Sequence, residues 1–237
     1  MLQACLNGNR DRDFHPALPR TPEELARDAK AAVEAGAETL HVHPRDGTGR
    51  ESVQPEDCAA ALDAIRASVP GIPVGLSTGW WIPPGGRARQ AQIAAWRVLP
   101  DYVSVNLIEE DAPEIIALAL EKGIGVEAGL WSTEDAERFI ALHTAPRALR
   151  ALLEINEQDT AEAIAVAHGI LAILQRAGLR LPVLLHGLDA TKWPLYREAL
   201  RLGLDTRIGL EDGKLLPSGA TAEGNEALIR AADALRR

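Results

Sequence analysis

Cysteine is nearly absent: the 237 residues hold two, Cys5 and Cys58, with no CxxC spacing. That excludes a dithiol centre and reads both thiols as small core residues in a reducing compartment, with no chemistry assigned to either. Although 46% of the chain is hydrophobic, no apolar run approaches the ~20 residues needed to cross a bilayer. A soluble globular protein without a membrane partner is expected. The opening residues, MLQACLNGNRDRD, carry neither a basic leader nor a signal-like apolar segment, so the expected location is the cytoplasm. Positive charge is in deficit, 25 Lys and Arg against 34 Asp and Glu, and the net charge of −9 argues against nucleic acid as a partner. Linkers and low-complexity tracts are missing too, which at this length predicts a single domain over residues 1–237.

What the chain does have is alternation. Short β-type runs are expected at 2–6, 39–43, 73–76, 102–106, 124–127, 151–155, 182–186 and 206–208. Helical patterns fall between them: one opened by Thr21-Pro22-Glu23-Glu24 and stopped by Gly36, then 55–68, 87–98, 112–122, one opened by Ser132-Thr133-Glu134-Asp135, then 161–177, 193–202 and 223–235. Thr21 is the expected N-cap, Pro22 the first helical residue and Glu24 the partner in a capping box. Eight strand–helix units predict a (β/α)8 TIM barrel, with an open doubly wound sheet as the structural alternative.

Barrel active sites lie at the C-terminal strand ends, and these ends are dense in polar residues. The second strand reads TLHVHPRDG. Side chains alternate across a strand, so His41 and His43 point the same way and form half of a metal site, or else a polar pair at a solvated strand end. Arg45 and Asp46 follow. The other ends supply Ser77 and Thr78, Ser104 and Asn106, Glu127, Glu154 and Asn156, His186, and finally Arg207, Glu211 and Asp212. Two histidines need a further ligand, and a carboxylate leaves a position open for substrate; Glu211 and Asp212 are the natural suppliers.

The run TPEELARDAKAAVEAGAETLHVHPRDGTGR, followed by PVGLSTG, DYVSVN and RIGLEDG, resembles the β-keto acid cleavage enzymes, the family typified by 3-keto-5-aminohexanoate cleavage enzyme. The resemblance runs in order from about Thr21 to the last helix. It implies a TIM barrel with a zinc ion bound by His41, His43 and Glu211, and a reaction in which a β-keto acid and acetyl-CoA give acetoacetate and a new acyl-CoA. It further implies that Arg207 and Asp212 pair to generate the enolate, that Ser77 contacts substrate, that Glu127 stands where the family carries a site glutamate, and that the protein is a homo-oligomer, dimer or tetramer. The chain departs from the family in being shorter between the fourth and seventh strands. There the acidic run NLIEEDAPE replaces a Gly-Ser stretch and is ill suited to a phosphate-rich co-substrate.

Chemistry leads the same way. A β-keto acid chelates a divalent ion through its keto and carboxylate oxygens, which lowers the cost of an enolate. Asp212 is the candidate base, with Arg207 to orient it or balance charge. Ser77, Thr78 and Asn106 are candidate donors to oxyanions, or else turn and cap residues. His186, beside a glycine at the mouth, is a further substrate contact. Trp80 and Trp81 after STG either line an apolar pocket or pack against another subunit. His143 and His168 read as helix-surface or packing residues, and His15 as a lid without a partner. The competing readings are a metal-dependent hydrolase of the amidohydrolase type, which also uses His-x-His at a strand end, and a metal-binding barrel without turnover.

Overall fold

In the computed structural model, which describes residues 1–237, the strands are β1 (Leu2–Cys5), β2 (Thr39–Val42), β3 (Val74–Ser77), β4 (Tyr102–Asn106), β5 (Gly125–Leu130), β6 (Arg150–Ile155), β7 (Val183–Gly187) and β8 (Thr206–Ile208). The helices following them are α1 (Pro22–Glu34), α2 (Pro55–Ser68), α3 (Arg89–Ala95), α4 (Ala112–Glu121), α5 (Thr133–Ile140), α6 (Thr160–Arg176), α7 (Lys192–Leu202) and α8 (Asn225–Arg236). Each strand neighbours the next in sequence, and β8 returns to β1. An isolated parallel bridge, Leu184–Asp205, ties β7 to the residue before β8. This is the (β/α)8 TIM barrel that the alternation predicts. No helix is long and apolar enough to cross a membrane.

Chain contacts divide the molecule into two compact units, Met1–Asp101 with Ile208–Arg237, and Tyr102–Arg207. In the first unit, Cys5, His41 and Gly75 stand in register across β1, β2 and β3. Partners in a parallel ladder share a face, so these three form one layer, with His43 and Ser77 one layer nearer the C-terminal end. In the second unit the layers are Ser104, Glu127 and Arg150, then Asn106, Gly129, Leu152 and Leu184, then Glu154 and His186.

Local signals account for most element boundaries. Thr21 accepts from the Glu24 amide at 3.3 Å and Glu24 from the Thr21 amide at 3.2 Å, closing the expected box at the start of α1. Three elements differ by two or more residues at an end, and several others by one. Strand β5 continues to Leu130, because the charge at Glu127 that suggests a strand end is buried against Arg150 at 3.1 Å. Helix α3 is shorter than the 87–98 pattern, since a 3-10 turn occupies Gly86–Ala88 and Trp96 leaves the helix to donate its indole N–H to Val53 O at 2.8 Å. Helix α8 begins at Asn225, whose side chain is fully buried.

Asn225 is a hub. Its Oδ1 accepts from the Leu210 amide at 2.7 Å, and its Nδ2 donates to Leu6 O at 2.8 Å and to Asp28 Oδ2 at 2.6 Å. It thereby ties the segment after β8 to the end of β1 and to α1. Burial raises the Asp28 carboxyl to about 6, against the opposing Asn225 hydrogen bond and with help from Glu226. A raised acid binds its proton more readily folded than unfolded, so this group's contribution to stability falls as pH rises from the ordinary aspartate value of 3.8 to about 6. The span corresponds to about 3 kcal/mol. Urea midpoints measured across that window are expected to show a downward slope that Asp28→Asn removes; an unchanged slope would refute the assignment.

Candidate metal centre

At the end of β2 the imidazoles of His41 and His43 meet edge to face, with ring centroids 5.2 Å apart. Both are buried. Their Nε2 atoms are 3.2 Å apart, and Glu211 Oε1 lies 3.8 Å from the first and 3.6 Å from the second. A point equidistant from the three atoms is about 2.1 Å from each, which is the Zn–N and Zn–O distance of protein sites. Two imidazoles and one carboxylate leave further positions on such an ion open, as a catalytic centre requires. The donor set and its spacing therefore fit the divalent ion implied by the resemblance.

Several residues deliver these ligands. Asn7, fully buried in the loop after β1, accepts from the His43 amide and donates to the His43 carbonyl, both at 2.9 Å. His43 Nδ1 is held by Glu51 Oε1 at 2.5 Å, and Glu51 Oε2 accepts from Trp81 Nε1 at 3.0 Å. Glu211 reaches the histidines over Gly8, whose φ of +55° is left-handed and whose missing Cβ would lie 2.4 Å from Glu211 Cγ. Burial disfavours a charged His43, yet Glu211 and Glu51 together raise its pKa to about 9. The two carboxylates draw positive charge to this point, an attraction that a divalent ion also satisfies.

Asp212 is fully buried, and Cys5 Sγ donates to its Oδ2 at 2.9 Å. The thiol read from sequence as inert core thus lies on the candidate base. Ser77 is buried at the end of β3, where its Oγ accepts from the Gly79 amide at 3.3 Å. Thr78 is fully buried, and its carbonyl accepts from Arg89 Nε at 2.7 Å. Arg45 braces the entrance rather than reaching the ligands, donating to the carbonyls of Gly8 at 3.0 Å, Arg10 at 2.5 Å and Gly49 at 2.9 Å. His15 is no lid: it is buried, with Nε2 on Ala222 O at 2.9 Å.

In the second unit, Arg207 Nε donates to His186 Nδ1 at 3.3 Å, which leaves the ring proton on Nε2. Glu154 Oε2 lies 3.8 Å from both His186 Nε2 and Arg207. Glu154, one of the polar strand-end residues, therefore belongs with these two. Asn106 donates to Glu109 Oε1 at 3.2 Å, so its amide anchors the acidic turn after β4. Glu127 does not close its strand. It lies two layers below His186, paired with Arg150, which also approaches Asp205 at 3.5 Å.

A sequence profile of the family described as beta-keto acid cleavage enzyme matches residues 1–237. The chain is 29% identical over 253 aligned residues to a 3-oxoadipate:acetyl-CoA acetyltransferase of Cupriavidus necator, covering 99% of this chain and 87% of that protein. It is 37% identical over 68 residues to a 3-keto-5-aminohexanoate cleavage enzyme of Fusobacterium nucleatum, covering 29% of this chain and 25% of that one. Among solved structures, the ternary complex of ObcA with a C4-CoA adduct and oxalate superposes with a TM-score of 0.74 at 17% identity, over 92% of this chain and 63% of that chain. This chain thus spans less than two thirds of that structure's length, and the likeness bears on fold alone.

Proposed function

This chain belongs to the beta-keto acid cleavage enzyme family, and from that premise we propose that it condenses a β-keto acid with acetyl-CoA and releases acetoacetate and a new acyl-CoA. His41, His43 and Glu211 hold a zinc ion in this reading. The observation that carries it is the convergence of their three ligand atoms, all within 4.8 Å of one another. The name of the Cupriavidus necator relative supports acetyl-CoA as the co-substrate.

A divalent cation held by His41, His43 and Glu211 would supply Lewis-acid polarisation of the substrate's keto and carboxylate oxygens, which would lower the cost of an enolate. Asp212 takes the α-proton, its Oδ2 oriented by the Cys5 thiol at 2.9 Å. Arg207 balances the negative charge that develops. The enolate carbon attacks the acetyl thioester carbonyl and expels the CoA thiolate. The thiolate then attacks the original keto carbonyl, the carbon–carbon bond breaks, and the departing acetoacetate enolate regains the proton. Ser77 and Thr78 serve as donors on their side of the reaction, and His186 presents Nε2–H to substrate. Glu127 and Asn106 act as supports, through Arg150 and Glu109.

A panel of β-keto acids assayed with acetyl-CoA, with and without added zinc, tests the reading. Acetoacetate and acyl-CoA formed in equal amounts are expected. Cleavage by water alone would instead favour the hydrolase, and substrate binding without products the barrel lacking turnover. The protein is proposed to work as a cytoplasmic homo-oligomer, a dimer or tetramer, a mass that light scattering reads directly.

A further inference from the structure

Glu51 lies outside the ligand set, yet it is joined to it. The turn after β2 folds back so that Arg45 and Glu51 form an antiparallel bridge, which returns Glu51 beside His43. One carboxylate oxygen holds His43 Nδ1 at 2.5 Å, and the other accepts from the Trp81 indole at 3.0 Å. Glu51 is thus spanned between a ligand ring and the loop after β3. The indole is positioned in turn: a Cβ on Gly79 would fall 2.5 Å from its ring carbons, so the ring lies flat over that glycine. An imidazole that binds through Nε2 is oriented and made more basic by the acceptor on Nδ1.

We propose that Glu51 is a positioning residue for the metal ligand His43 and that Trp81 is the latch that fixes Glu51. The hydrogen-bonded chain Trp81–Glu51–His43 makes the ligand set and the loop after β3 one mechanical unit. Strain or displacement in the loop therefore reaches the ion through a single carboxylate. Trp81 keeps 41% of its surface exposed and its neighbour Trp80 56%, so the far end of the chain is open to whatever enters.

This inference rests on the ligand set proposed above, and direct metal titration separates the two. Zinc affinity is measured by competition with a chromogenic chelator for the wild type, His41→Ala, Glu51→Gln and Trp81→Phe, each checked for its far-ultraviolet dichroism. The absorption spectrum of the cobalt-loaded protein gives a second readout. Glu51→Gln, which keeps size but loses charge, is expected to weaken zinc about 10- to 100-fold and to shift the cobalt bands. Trp81→Phe keeps the ring and removes one hydrogen bond, for a loss of about fivefold. The double variant should fall short of the product of the two losses, since both act through one carboxylate. Wild-type affinity in Glu51→Gln, with binding lost in His41→Ala, would overturn the latch and leave the ligand set standing. Undiminished binding in His41→Ala would overturn both.

Discussion

Glu211→Gln is expected to empty the metal centre while leaving the fold intact. Glutamine has the length and shape of glutamate, so it packs over Gly8 as before. What it removes is the one anionic ligand opposite two neutral imidazoles. Glu51 cannot replace it, being engaged on the far side of His43 at Nδ1. Loss of an outer hydrogen bond alone weakens metal sites about 10- to 100-fold, so loss of a ligand should exceed about 100-fold, and turnover should fall with occupancy. Elemental analysis after dialysis is expected to find about one equivalent of divalent metal in the wild type and only traces in Glu211→Gln and His41→Ala. Measured metal-free, the melting temperature of Glu211→Gln should stay close to that of the wild type, because glutamine keeps the packing of the glutamate over Gly8. Metal retained in both variants would remove the proposed site.

The sequence displayed some of this centre and concealed the rest for physical reasons. His41 and His43 were legible because strand alternation is a local rule: two residues apart means one face. The barrel was legible because eight repeats of strand and helix average out errors at single boundaries, as at β5 and α3. Glu211 as ligand came from the resemblance, since no local rule tells which of two adjacent carboxylates turns inward. Glu51 was invisible because its contact with His43, eight positions away, depends on how the turn after β2 folds back, and Asn7 and Cys5 because their roles are long-range pairings. Asn7 lies 36 residues from His43, and Cys5 lies 207 residues from Asp212. Neither spacing has a period to detect. Glu127 was misplaced at a strand end because a buried carboxylate looks like a terminus until Arg150, 23 positions later but adjacent in register, is seen to neutralise it.

Gly209→Ala, within RIGLEDG, is expected to be the most damaging small substitution in this unit. Its missing Cβ would sit 1.7 Å from the Cys5 carbonyl oxygen and 2.9 Å from Cys5 Sγ. No rotamer relieves a clash with backbone, so either β1 or the segment after β8 must move. The carbonyl of Gly209 accepts from the amides of Asp212 at 3.1 Å and Gly213 at 3.2 Å, and the Glu211 amide reaches Cys5 O at 3.5 Å. Displacing Gly209 therefore carries Glu211 off His41 and His43, and Asp212 off the Cys5 thiol, in one motion. Overpacking of side chains costs about 1–3 kcal/mol; backbone against backbone belongs at or beyond the top of that range. At this chain length about 3 kcal/mol lowers the melting temperature by about 6–12 °C. Zinc affinity should collapse along with it. Gly47 supplies the control: a Cβ there meets nothing within 4 Å, so Gly47→Ala should stay within about 0.5 kcal/mol of wild type. If Gly209→Ala melts and binds zinc like the wild type, the segment after β8 does not press on β1, and this glycine is not what brings the carboxylates to the histidines.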